Sequence, residues 1–381
     1  MRALMLASVA SMLDQFNREN IALLERLGYQ VDIACNFEVG NTSSEEQVMA
    51  FREQMEEEGV ETVQIPIPRN ISAVGKIVKS YQMVKKLVEE NQYDIVHCHS
   101  PIGGVITRLA SRKQRKKGMK VIYTAHGFHF FTGAPKKNWI IFYTIENILS
   151  RYTDVLITIC HEDYERAKRK KLGREIVYSP GIGIDVDSIK NLTLKEDKRE
   201  ELGISSKDKI ILSIGELNAN KNHEVILRAI GSLKRTDVHY VICGKGELDQ
   251  YLQTVAKEVG MEGRLHLLGF RTDAKEWLKA ADIFAFPSFR EGLPVSLMEA
   301  MAAGLPVVCS KIRGNVDLIR HKKGGYMGTP NNMAYFAKAI EQLLLKPELG
   351  KRMGAFNQDV IKAFDKAQVE KVMHQVYDWD I

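Results

Sequence analysis

Short apolar runs rich in β-branched residues alternate along this chain with segments whose apolar residues recur every three or four positions. In the first half the strand-like runs are residues 3–7, 31–35, 62–65, 94–98, 121–124 and 155–159, and residues 19–27 and 77–90 carry the helical spacing. Runs that stay apolar mark strands buried on both faces. With helices between them, the stable arrangement is a parallel sheet covered on both sides. Pro180, Gly181 and Gly183 break the pattern at residues 178–185, and a polar stretch follows over 191–209. The alternation then restarts, with strands at 210–214, 239–243, 265–267, 283–286 and 306–309 and helices at 224–233, 250–258, 274–281 and 295–303. The pattern predicts an α/β chain of two doubly wound halves joined near residue 185.

The bulk numbers agree with that division. A chain of 381 residues exceeds what one hydrophobic core supports, so two domains are expected. A net charge of +6 is too weak to imply nucleic acid, but it favours anionic ligands or an anionic membrane face. Cys35, Cys98, Cys160, Cys243 and Cys309 are scattered, odd in number and without a CxxC pair, which argues against a disulfide framework or a zinc knuckle and for buried thiols in a reducing cytoplasm. Residues 1–13 are apolar after Arg2, but Asp14 follows at once. They read as a first buried strand running into a loop rather than a leader peptide. No run approaches the ~18 apolar residues of a spanning helix, so any membrane contact is expected to be peripheral.

In open parallel sheets, ligands sit beyond the carboxyl ends of the strands. Two such sheets facing one another would form a cleft with one reactant on each half, which favours two-substrate transfer chemistry. In the second half, four strand ends carry candidate chemistry. Gly292 and Pro294 force a turn after the strand at 283–286, and a helix opens near Val295. The free amides at such a helix start suit a diphosphate. Glu299 lies one turn inside, where a carboxylate can accept ribose hydroxyls, and Glu291 sits at the loop tip, in reach of a sugar ring. An acidic first turn on an ordinary capped helix would look the same. Gly215 ends the strand at 210–214, and Lys221 follows near a helix start, where an ammonium can neutralise a pyrophosphate leaving group. It also reads as a solvated lysine. Gly244 and Gly246 let backbone approach a ligand but lack the third glycine of a dinucleotide fingerprint. The loop at Gly269-Phe270 could face a base, or be an ordinary strand end.

Taken in order, Gly215 with Lys221, Gly244-Lys245-Gly246-Glu247, Gly269-Phe270, Glu291 with Glu299, and residues 303–307 resemble the retaining glycosyltransferases of family 4, whose hallmark is a Glu-x7-Glu pair. The likeness covers nearly the whole second half. It implies the GT-B fold, with a Rossmann-like acceptor domain at 1–185, a Rossmann-like nucleotide-sugar domain at 186–360, and a helix at 361–381 packing back on the first. It implies that Glu291 contacts donor-sugar hydroxyls, Glu299 holds the ribose, Lys221 binds the diphosphate, and backbone from Gly292 and Leu293 through Val295 and Ser296 cradles the phosphates. It further implies no metal or other cofactor. One departure stands out. The family carries arginine after the glycine at 215, and this chain has Glu216, which cannot neutralise phosphate; Asn218, Asn220 and Asn222 are candidates for polar contacts instead.

In the first half, the resemblance places a donor-sugar contact on His126, at the end of the strand at 121–124, where an ordinary structural histidine is the alternative. His129 with Phe128, Phe130 and Phe131 reads as either an acceptor wall or core packing. His97 and His99 share one face of a strand. With no third ligand nearby, His99 is a candidate acceptor contact rather than half of a metal pair. The family's early glycine-rich loop is missing, leaving Ser11, Asp14 and Asn17 as acceptor candidates. Residues 108–120 and 166–174 carry seven and six basic side chains. Such runs are solvated faces or, with the Trp139–Tyr143 segment between them, a docking surface for anionic lipid. The stretches 99–105 and 138–154 and the His126 motif resemble the polysaccharide branch of the family. That implies a UDP-sugar donor, a polyprenyl-diphosphate-linked acceptor, and a cytoplasmic protein held at the inner membrane face. Two alternatives compete: a UDP-N-acetylglucosamine 2-epimerase-like isomerase, and a non-catalytic nucleotide-sugar-binding subunit. A nicotinamide dehydrogenase is disfavoured by the incomplete glycine fingerprint.

Overall fold

The computed structural model describes residues 1–194 and 197–378. The apolar runs become thirteen parallel strands in two sheets among the described residues. The first sheet contains β1 (Arg2–Val9), β2 (Gln30–Asn36), β3 (Glu61–Gln64), β4 (Ile95–His99), β5 (Lys120–Ala125), β6 (Val155–Thr158) and β7 (Glu175–Tyr178) in the order β3-β2-β1-β4-β5-β6-β7. The second contains β8 (Lys209–Ile214), β9 (Val238–Cys243), β10 (Leu265–Leu267), β11 (Ile283–Phe286), β12 (Val307–Ser310) and β13 (Gly325–Gly328) in the order β10-β9-β8-β11-β12-β13. In each sheet the chain steps outward, then returns to the far side of its first strand. Met5 pairs with His97 across β1 and β4, and Ile211 with Ile283 across β8 and β11. These two switch points open a crevice at the carboxyl ends of the strands they separate. Both neighbouring molecular faces are helical, which is why the strands read as unbroken apolar runs.

The chain forms two compact units: Met1–Ile182 with Ala367–Ile381, and Gly183–Lys366. The family resemblance implies boundaries at 185/186 and 360/361 instead, and residues 379–381 of the implied C-terminal segment lie outside the described residues. The helix Lys366–Tyr377 buries Val369, Met373, Val376 and Tyr377 in the core of the first unit. Their spacing of four, three and one residues puts them on one helical stripe.

Several helices carry too little periodic signal to be read ahead. Ala10–Phe16 leaves β1 without an intervening loop and has no capping side chain, where the sequence suggested an irregular segment. Pro101–Arg115 and His161–Lys170 occupy the two basic stretches, and their charge masks their apolar spacing. Among the described residues, no helix is long and apolar enough to cross a membrane.

The helices also change the meaning of the basic stretches. Arg108 is fully buried, forks onto Glu146 at 2.7 and 3.1 Å, and lies 4.0 Å over the Tyr123 ring. The buried Lys120 ammonium donates to the carbonyl of Val376 at 2.5 Å, and Arg115 is paired with Asp154. Arg166 is buried against Glu162 and Trp139. These four side chains are internal fastenings, not lipid contacts as the sequence allowed. Arg112, Lys113, Lys116 and Lys117, and the basic residues from Lys168 to Arg174, remain exposed.

Candidate active site

In the second unit the loops after β8, β9 and β10 are laced by backbone hydrogen bonds. Gly215 N–H donates to the Cys243 carbonyl at 3.0 Å, Leu217 N–H to Lys245 at 2.9 Å and Gly244 N–H to Gly269 at 2.7 Å. A Cβ on Gly244 would lie 1.9 Å from the Gly215 carbonyl oxygen, and one on Gly246 would lie 2.3 Å from that of Leu217. The two glycines thus let one loop's backbone lie against another's. The sequence reading had them admit a ligand. Phe270, next to them, is 62 % exposed.

The loop after β8 is tied just as closely to the loop after β11. Asn220 Nδ2 donates to the Arg290 carbonyl, and Phe289 N–H donates back to that of Asn220. Asn222, left-handed at φ 55°, donates to the carbonyls of Pro287 and Pro330. This lacing brings Lys221 Nζ to 2.8 Å from Glu291 Oε1 and 5.0 Å from the Phe286 ring centroid. Both partners of the ion pair are mostly covered, at 20 % and 13 % side-chain exposure. Asn218 is tied locally: its Nδ2 donates to the exposed Glu216 carboxylate at 2.7 Å, and its Oδ1 accepts from Lys221 N–H.

The helix Val295–Ala302 follows Pro294, with no side-chain cap and no acid in its first turn. As at any helix start, its first-turn amides have no intrahelical acceptors, and the loop that holds Glu291 leads directly into it. Leu297, Met298, Ala300, Met301 and Ala302 are buried, while Val295, Ser296 and Glu299 share the open stripe. Burial pushes the Glu299 carboxyl up, and Lys275, 3.5 Å away, opposes that shift. Below the loop, Gly314 packs so closely that a Cβ there would sit 2.0 Å from the Gly292 carbonyl oxygen. The mostly buried Arg313 donates Nε–H to the Glu291 carbonyl at 3.1 Å. Sequence reasoning missed Arg313, although Arg313-Gly314 after β12 repeats the strand-to-glycine signal used at three other strand ends.

In the first unit, His126 follows β5 and remains partly open, with its Nε2 3.2 Å from Nδ1 of His99. His99 is only 1 % exposed, so it backs His126 and cannot line a surface, as the sequence suggested. His97, on the same face of β4, hydrogen-bonds the Tyr377 hydroxyl and Thr124 Oγ1 through its two ring nitrogens, at 2.7 and 2.8 Å. Burial lowers His97 to about 3 and His126 to about 4, and lowers His99 well below its ordinary value, so all three are neutral near pH 7. The other acceptor candidates are engaged in structure. Ser11 is buried and accepts from Thr42 N–H; Asn17 is buried at a helix junction and donates to the Met12 carbonyl; Asp14 pairs with Arg18 at 2.6 Å. His129 stacks on Phe142 at 4.6 Å, and Phe128 and Phe130 are core residues.

The model described as Glycosyltransferase Family 4 matches residues 17–186, and that described as Glycosyl transferases group 1 matches residues 195–360. The protein named EpsD in Bacillus subtilis is 38 % identical over 302 residues, 78 % of this chain and 79 % of that protein. The chain belongs to glycosyltransferase family 4, of the GT-B type. This glycosyltransferase is also similar to the UDP-Gal:α-D-GlcNAc-diphosphoundecaprenol α-1,3-galactosyltransferase of Escherichia coli, with 31 % identity over 281 residues and 71 % of each chain covered. Its fold matches that of HepE from Anabaena, solved with UDP-glucose, at a TM-score of 0.79 and 19 % identity, over 99 % of each chain. The family decides for a transferase over the epimerase-like and binding-only alternatives.

Proposed function

We propose that this glycosyltransferase moves a hexose or N-acetylhexosamine, with retention at the anomeric carbon, from a UDP-sugar to a polyprenyl-diphosphate-linked glycan in capsule or exopolysaccharide synthesis. The observation that carries the reading is the 2.8 Å pairing of the Lys221 ammonium with Glu291, in the loop that leads into the uncapped start of the helix Val295–Ala302, with Glu299 one turn inside that helix. The ammonium and amides meet the charge that develops on the leaving diphosphate. Glu299 accepts from the ribose hydroxyls and Glu291 from the sugar. The bond from the anomeric carbon to the phosphate oxygen breaks, the acceptor oxygen bonds to that carbon on the same face, and its proton passes to the released phosphate. In this reading Lys221 and the helix start do the work of a metal, so chelation leaves turnover intact. The donor and carrier assignment draws support from the E. coli relative, whose name specifies both.

A peripheral position on the cytoplasmic membrane face completes the proposal. The helical run 136–152 presents Lys136, Lys137, Ile140, Ile141, Ile148 and Arg151 outward, with Ile140 71 % exposed. Apolar tips among cations suit an anionic headgroup layer, at ~1 kcal/mol per basic residue near the surface. The decisive experiment is a donor screen for nucleotide release, with and without a lipid-linked acceptor. UDP release that depends on the acceptor and is abolished by Lys221→Ala is expected; indifference to every UDP-sugar overturns the reading.

A further inference from the structure

The contact between His99 and His126 has a direction. Two neutral imidazole nitrogens 3.2 Å apart need one proton between them, and the choice of owner sets what His126 offers at its other nitrogen. The far side of His99 decides the question. Its Nε2 lies 3.2 Å from Sδ of the fully buried Met5, and a thioether sulfur can only accept. The opposite tautomer would set a nitrogen lone pair against the sulfur lone pairs and leave His99 without a use for its second acceptor site in a dry core. His99 therefore carries its proton on Nε2, its Nδ1 is bare, and the proton in the contact belongs to His126 Nε2.

We infer that His99, set by Met5, is a positioning residue that holds His126 as its Nε2–H tautomer and so presents a bare Nδ1 as an acceptor for a sugar hydroxyl. The proposal rests on the reading that His126 touches the substrate. No hydrogen bond holds its Nδ1 among the described residues. His97 extends the support: its ring centroid is 4.2 Å from that of His99, and its two hydrogen bonds to Tyr377 and Thr124 fix it in place. Tyr377 ends the helix Lys366–Tyr377, so the C-terminal segment of the chain bears on the orientation of a residue far earlier in sequence. A ring held this way keeps its acceptor aimed before the substrate arrives.

Long-range proton–nitrogen NMR on the full chain labelled at histidine tests the assignment, with His126→Asn identifying the signal. The wild type is expected to show His126 protonated at Nε2. In His99→Leu this preference is lost, and kcat falls by about tenfold or more, short of the ~10,000-fold that a wrong tautomer costs a histidine acting as general base. His99→Asn, whose amide oxygen can accept in place of Nδ1, restores most of the rate. Met5→Leu, a mild core change, shifts both rings toward the other tautomer, which keeps the test open if His99→Leu fails to fold. A wild-type His126 protonated at Nδ1, or a tautomer unmoved by both His99→Leu and Met5→Leu, overturns the inference. A separate arm measures transfer by His126→Ala: full activity there refutes the substrate role of His126 and leaves the tautomer result to stand alone.

Discussion

Replacing Glu291 by glutamine separates two roles that the free protein merges. At 2.8 Å and an effective dielectric of 20, the gross attraction between Lys221 and Glu291 is about 6 kcal/mol. Desolvation offsets most of it. For a pair between the exposed and fully buried limits, a net coupling of about 1–2 kcal/mol is the expected remainder. Glu291→Gln should therefore lower folding stability by about that amount, and a double-mutant cycle with Lys221→Met should recover the coupling. Ligand binding should move the other way. On the proposed function the diphosphate uses the ammonium that the Glu291 carboxylate holds in the free protein, so removing the carboxylate should leave UDP affinity unchanged or tighten it by up to about tenfold. Lys221→Met weakens UDP by about 2–3 kcal/mol, the worth of a charge-assisted contact. Transfer should fall in both variants, in Glu291→Gln because, on the proposed function, the sugar loses its acceptor. Calorimetry with UDP, denaturant unfolding and initial rates supply the three readouts. If Glu291→Gln lost UDP affinity as severely as Lys221→Met, the idea of a counter-ion displaced by the diphosphate would be refuted.

Other expectations follow from burial and close approach. Arg108→Leu strands the buried Glu146 carboxylate and should cost about 3–5 kcal/mol in denaturant unfolding, whereas adding Glu146→Leu should return most of the loss. Gly246→Ala forces a methyl onto the Leu217 carbonyl and should displace the loop, costing about 1–3 kcal/mol and weakening UDP uptake in calorimetry. Acid should destabilise the first unit. His97 and His126 are held neutral to about 3 and about 4, so below the ordinary histidine value near 6.5 the unfolded chain binds protons that the folded chain refuses. Stability is then flat above that pH, falls by up to ~1.4 kcal/mol per pH unit for each such histidine below it, and levels off once the folded values are passed. Urea midpoints from pH 7 to pH 4 check this, and His97→Gln should flatten the slope.

Local chemistry was enough to announce much of this molecule. Unbroken apolar runs can be satisfied only by strands covered on both faces, so β8 to β12 were readable almost to the residue. The Glu291 and Glu299 spacing puts one carboxylate in the loop before a helix and the other one turn inside it, because the turn is forced by Gly292 and Pro294 and the helical rise does the rest. What the sequence could not carry was any fact that depends on a distant partner. Arg108 reads as one more cation in a basic run, and only its approach to Glu146 across the fold makes it internal. His99 reads as a surface candidate until β1 brings Met5 beside it and the C-terminal helix brings Tyr377 to its neighbour His97. The helix at Ala10–Phe16 has no cap and little periodicity, so its form depends on packing rather than propensity. Gly244 and Gly246 announced a close approach, but the approaching group is the backbone of a neighbouring loop, positioned by strand order. Periodicity and turn chemistry act within a few residues and are written in the chain; pairing, burial and proton position arise from contacts between segments, which exist only once the sheets have formed.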